Sequence, residues 1–252
     1  MAPQGRWLNQ KRSRMEKLTT PAHRRSVVSY VRRSPRMTPS QRVSLDAHSS
    51  RWVIEVERGE MATAVAPQAP LDLVSAFGRR APLIVEIGCG HGDALAAGAA
   101  AHPQTDFLGF EVFDASIGAT LGKIAASGVE NVRLVAADAV GGLTHLLAEC
   151  SVVELWVFFP DPWPKKRHHK RRLVNDAFAD LAHRVLAPGG VLRLATDWQS
   201  YAEAMAAVFD NDPRFELTSA ERFDQRPLTK FETRGINAGR AVQDFAYTVR
   251  PL

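Results

Sequence analysis

At 252 residues, 45% hydrophobic and 23% charged, the chain can bury one full core but is short for two independent enzymatic lobes. Its net charge of +5 is unevenly held: residues 1–50 contain eleven Lys or Arg against two acids, Glu16 and Asp46, so they carry +9 and the remainder carries −4. Two cysteines, the lack of zinc-type histidine spacing and the lack of any run of about twenty apolar residues argue against a disulfide framework, a structural metal and a membrane helix.

Residues 1–50, rich in Arg, Ser and Pro, read as a basic, flexible extension drawn to nucleic acid. An organellar transit peptide has similar composition, and Met15 is an alternative start; a bacterial cytoplasm is the default compartment. Residues 51–252 read as the catalytic domain. An Ala/Pro linker, Ala62 to Ala69, leads to a short helix, Leu71 to Phe77. From there apolar runs alternate with amphipathic stretches. Strands are expected at Leu83–Ile87, Phe107–Val112, Val132–Ala136, Val152–Phe159 and Val191–Ala195, with helices at Asp93–Ala101, Ala115–Ser127, Val140–Glu149 and Asn175–Leu186. A helix from Trp198 to Phe209 precedes two closing strands, Phe215–Thr218 and Asp244–Val249. The alternation predicts an α/β fold, a mostly parallel sheet with helices on both faces. Residues 220–240 form a long charged connection, read as a binding loop.

The first strand runs into Glu86-Ile87-Gly88-Cys89-Gly90-His91-Gly92-Asp93, a glycine turn that opens a helix and lets a ligand approach the backbone closely. Glu111 ends the second strand and Asp138 follows the third, where carboxylates meet a ribose and an adenine edge. Each acid alone is often only a helix cap, but three around one glycine turn fit an adenosine ligand. Nicotinamide dinucleotide and S-adenosylmethionine compete for that reading. Glu86 suits the cationic amino group of a methionine moiety and would repel a pyrophosphate, which favours S-adenosylmethionine.

After the fourth strand comes Phe158-Phe159-Pro160-Asp161-Pro162-Trp163-Pro164, then the cationic run Lys165 to Arg172. Prolines hold the loop extended, and basic residues at a helix start oppose its dipole, so phosphate contact explains this charge better than stability does. Trp163 and Trp198 suit core packing and base stacking equally.

With these pieces the chain resembles the bacterial tRNA (guanine-N7)-methyltransferases. The resemblance covers Ser26–Arg42 and nearly all of Val85–Val249, most specifically Phe159–Lys166, Thr196-Asp197-Trp198 and Thr229–Gly235. It implies a Rossmann-like class I methyltransferase: a seven-stranded, mostly parallel sheet with one antiparallel strand. It also implies methyl transfer from S-adenosylmethionine to N7 of a variable-loop guanosine (position 46 in tRNA numbering). The sequence leaves monomer and homodimer both open, and the residue spacing predicts no metal. On the same ground Glu86, Gly88, Gly90, Glu111, Asp138 and Asp161 bind the cofactor, and Asp161 is catalytic. Lys165, Asp197, Thr229, Lys230, Phe231 and Glu232 contact the substrate. Departures are Cys89 and His91 within the turn and Phe113-Asp114-Ala115-Ser116 after Glu111. Two rivals are an exocyclic-amine methyltransferase, suggested by Asp161-Pro162-Trp163, and a non-catalytic RNA-binding module on the same fold.

Overall fold

The computed structural model describes Tyr30 and residues 36–251. Seven strands form one sheet in the order β3-β2-β1-β4-β5-β7-β6. The first five are parallel: β1 (Leu83–Ile87), β2 (Asp106–Phe110), β3 (Val132–Val135), β4 (Val152–Phe158) and β5 (Leu186–Thr196). β7 (Gln243–Val249) runs antiparallel to β5 and to the edge strand β6 (Phe215–Ser219), so it is the single reversed strand.

Alternate side chains leave a strand on opposite faces, and the core divides accordingly. Val85, Leu108 and Leu155 pack with Leu143, Phe178 and Met205 of helices α5 (Ala139–His145), α6 (Asp176–Val185) and α7 (Gln199–Asp210). Ile84, Phe107 and Trp156 pack with Leu95 and Leu121 of α3 (Asp93–Ala101) and α4 (Asp114–Ser127) on the other face. Beyond α3 that face is covered by the segment after β6, where the Phe223 ring meets Trp156 edge-on, packs tilted on Phe158 and lies under the Arg193 guanidinium.

Besides small shifts of bounds, as in the helix Ala139–His145 expected at Val140–Glu149, three elements differ from the sequence expectations. Helix α1 (Pro39–Trp52) crosses the boundary drawn at residue 50 and docks on α4; the remainder of the basic extension, Tyr30 apart, lies largely outside the described residues. Thr38 and Gln41 form a reciprocal capping box with Pro39 in the first turn, which starts α1 without an amphipathic pattern. The connection at 220–240 is not all loop: it contains α8 (Lys230–Asn237), capped by Thr229. β5 begins at Leu186 rather than Val191, because Leu186 pairs with Val152 and the Pro188-Gly189-Gly190 stretch is drawn into the strand beside a register shift. The short helix before β1 is α2 (Leu73–Phe77).

Candidate active site

Five neighbouring parallel strands point their carboxyl ends to one edge of the sheet, and the acids singled out in the sequence lie along it. Glu86 is within β1; Glu111, Asp138, Asp161 and Asp197 follow β2, β3, β4 and β5. Chain order reverses between β1 and β4, the place where open α/β sheets bind ligands.

The glycine turn joins β1 to α3. Gly88, Gly90 and Gly92 all have left-handed φ, and at Gly92 a Cβ would collide with Cγ2 of Thr120. Larger residues are thus excluded both by conformation and by the packing of α4. Glu111 fixes this turn: its carboxylate accepts from the Gly90 N–H at 2.9 Å and from the N–H groups of Val112 and Phe113 at 2.6 and 3.0 Å. The Thr120 hydroxyl donates to the Gly90 carbonyl.

Glu86 is buried, and its Oε2 has no hydrogen-bond partner among the described residues. Burial, reinforced by the neighbouring charges of Asp93 and Glu111, pushes its pKa up to about 8. A buried, unpaired acceptor is costly unless something satisfies it. An ammonium group is the partner that a carboxylate beside a glycine turn can take, so this residue fits the amino group of S-adenosylmethionine. Glu111 is also raised, by burial first, against its three backbone donors, with a smaller contribution from Asp161. The charge of Asp161 also acts on the Tyr201 phenol, which burial raises to about 12.

Asp138 is a helix cap as well as a candidate ligand: its Oδ1 accepts from the Gly141 N–H at 2.9 Å at the start of α5. Its own N–H donates to the Thr63 carbonyl at 2.7 Å, and the Thr63 hydroxyl meets that of Tyr30 at 2.5 Å.

The loop carrying Asp161 is held at both ends. Phe159 and Trp163 adopt φ of 51° and 45°, a conformation that bulky side chains rarely accept and that persists only where the surroundings enforce it. The Phe159 N–H is bonded to the Ala195 carbonyl of β5, and the Arg171 guanidinium lies 4.8 Å from the Trp163 ring. Trp163 and Trp198 are both partly buried, Trp163 beside the basic run and Trp198 against the hydrophobic core.

Arg172 departs from the reading of the cationic run as one phosphate-binding surface. It is buried, donating to the Pro162 carbonyl and to Ser200, and stacks on Tyr201. It therefore ties the Asp161 loop to α7. Residues Lys165 to Arg171, forming a 3-10 turn from Lys166, keep the exposed charge.

Asp197 is paired through Oδ2 with Arg240 at 2.8 Å and does not cap α7, whose first residues find no side-chain cap. A Cβ on Gly235 would lie 2.5 Å from that same oxygen, so α8 approaches Asp197 as closely as a glycine permits. Thr229 caps α8 by accepting from the Glu232 N–H. Lys230 and Phe231 belong to its first turn. Glu232 is buried in ion pairs with Arg226 and Arg222. No sequence pattern marks Arg226, and the cationic run marks Arg172 only as a phosphate contact; an arginine in a polar stretch reads as solvated until its partners are known.

Residues 80–245 match the family model described as a putative methyltransferase. The tRNA (guanine-N(7)-)-methyltransferase of Cutibacterium acnes is 49% identical over 230 residues, 89% of this chain and 83% of the relative. That of a Nocardioides species is 46% identical over 235 residues, covering 93% and 92%. Among solved structures, the 16S rRNA methyltransferase KamB is 16% identical with a TM-score of 0.55, covering 79% of this chain and 100% of its own; this likeness supports the fold alone. The chain is therefore a member of the tRNA (guanine-N7)-methyltransferase family.

Proposed function

We propose that this chain binds S-adenosylmethionine across the carboxyl edge of β1 and β2 and methylates N7 of a guanosine in tRNA. The observation that carries the cofactor half is Glu86, a buried carboxylate with an unpartnered oxygen beside the glycine turn. The substrate half rests on the family and on the exposed Lys165–Arg171 surface next to Asp161.

When bound, the cofactor supplies a methyl group on a sulfonium. Guanine N7 has a lone pair and no proton, so the protein need not remove one, and alignment of the two groups is its main task. Asp161 supplies negative charge where the purine becomes cationic, which favours the developing charge electrostatically. Its loop is rigid because Phe159, Trp163 and Arg172 hold it, so little reorganisation is needed. Asp138 and Glu111 stand where an adenosine would lie. Lys165 and Thr229 are assigned to the substrate, with Asp197 packed against α8 at Gly235, and Lys165–Arg171 to phosphates.

The test is transfer of labelled methyl from S-adenosylmethionine to unmodified tRNA, followed by nucleoside analysis. Label in 7-methylguanosine is expected. Label in a methylated adenosine or cytidine would replace this reading by amine methylation.

A further inference from the structure

The region after β6 contains a buried ionic cluster that the proposed chemistry does not use. Arg226 is fully buried. Its guanidinium donates to Glu232 at 3.0 Å and to both oxygens of Asp244, at 2.5 and 3.1 Å. Arg222 adds a second, half-exposed cation on Glu232. Two cations and two carboxylates thus balance. The two carboxylates hold Arg226 firmly charged even though burial disfavours it, and the two arginines keep Glu232 below the usual carboxylate range against the opposing effect of burial.

The same guanidinium lies 5.2 and 5.1 Å from the rings of Phe158 and Phe159, the residues that end β4 and lead to Asp161. One side chain therefore touches three elements: the end of β4, Asp244 in β7 and Glu232 in the first turn of α8. Helix α8 in turn begins at Thr229 and meets Asp197 through Gly235. A planar, five-donor cation is the side chain suited to bridge two carboxylates while stacking on aromatic rings.

We propose that Arg226 is a positioning residue that sets the first turn of α8, with Thr229, against the Asp161 loop. Glu232 then acts by anchoring α8 rather than by touching the base. This assignment rests on the function proposed above only for its catalytic consequence; the mechanical claim concerns α8 itself.

Arg226→Lys retains a charge but loses the fork. Arg226→Met combined with Asp244→Leu removes one cation and one anion together, leaving Glu232 to Arg222, so no buried charge is stranded; it serves where the single variant does not fold. Hydrogen exchange of residues 229–237 should accelerate about tenfold, and kcat/KM for tRNA should fall about 10- to 100-fold, the scale of a small misplacement. Cofactor affinity should stay at the wild-type value, and in the double variant, which strands no buried charge, the unfolding midpoint should change little. Unchanged exchange in α8 would overturn the proposal whatever the reaction is. Activity that falls only in step with cofactor affinity and midpoint would also overturn it, as a general fold defect. A wild-type chain that makes no 7-methylguanosine, with α8 still loosened in the variant, would defeat the functional reading alone.

Discussion

Glu86 shows how one residue can be set against its own ionisation until a ligand arrives. With its pKa near 8 the carboxyl holds its proton at neutral pH, because burial and the charges of Asp93 and Glu111 all oppose the anion. An ammonium ligand reverses that balance, so binding should release a proton below pH 8, and affinity should fall as pH drops through the 8 to 6 range. Titration calorimetry in buffers of different ionisation enthalpy reads the released proton directly, and Glu86→Gln should abolish it. For the ligand-free protein the sign is opposite: a raised carboxyl pKa gives stability that is complete below the unfolded value and is lost as pH rises towards 8. Glu86→Gln should therefore flatten the pH dependence of the unfolding midpoint between about pH 5 and 8. At Asp161 the expectation concerns rate. Asp161→Asn keeps the shape of the loop and removes the charge, and kcat should fall about 10²-fold in single-turnover assays. Normal turnover with intact cofactor binding would show that the charge has no part in the reaction.

At the scale of elements, α1 is held by a cap at its start and by a glycine contact along its side. The Gln41 carbonyl lies where a Cβ on Gly118 would sit, and Ser44 Oγ is 2.8 Å from the corresponding position at Gly122. Gly118→Val should force α1 away from α4 and lower the unfolding midpoint, whereas Thr38→Ala, which removes only the cap, should cost about 1 kcal/mol. Chemical denaturation of the two variants compares these outcomes, and equal effects would mean that the α1–α4 contact contributes little. The same elements show what sequence could and could not reveal. The parallel strands were legible because buried apolar runs carry their own pattern, and the acids were legible because each follows such a run. Thr38-Pro39-Ser40-Gln41 carries the start signal of α1, but the surrounding charge reads as an extension. Thr229-Lys230-Phe231-Glu232 likewise carries the start signal of α8, but the burial of Arg172 and Arg226 is not legible: Arg172 depends on Ser200, and Arg226 on Asp244 eighteen residues away. Nothing local in a sequence identifies such partners.

For the whole molecule, the charge distribution and the sheet lead to one account of tRNA binding. The 3-10 turn places Lys165–Arg171 beside the end of β4. On the other side of β1, Tyr30 contacts Thr63, whose carbonyl holds the backbone of Asp138 after β3. Tyr30 is thus joined to the same sheet edge at which the 3-10 turn begins, with Glu111 and Glu86 at the strands between. No helix among the described residues is long and apolar enough to cross a membrane. Pairing of cationic side chains with phosphates releases counterions and carries no sequence information, so it governs affinity and its salt dependence more than turnover. Deleting residues 1–25, which hold seven Lys or Arg, should weaken tRNA binding and make log K against log salt shallower, by about 0.7 to 0.9 for each phosphate that is no longer neutralised. At saturating tRNA, kcat should remain that of the full chain, because Glu86, Asp161 and α8 are untouched. A slope identical to that of the full chain, measured by filter binding from low to moderate salt, would assign the electrostatic attraction entirely to the 3-10 turn. A fall in kcat at saturation would instead mean that the extension helps to place the guanine.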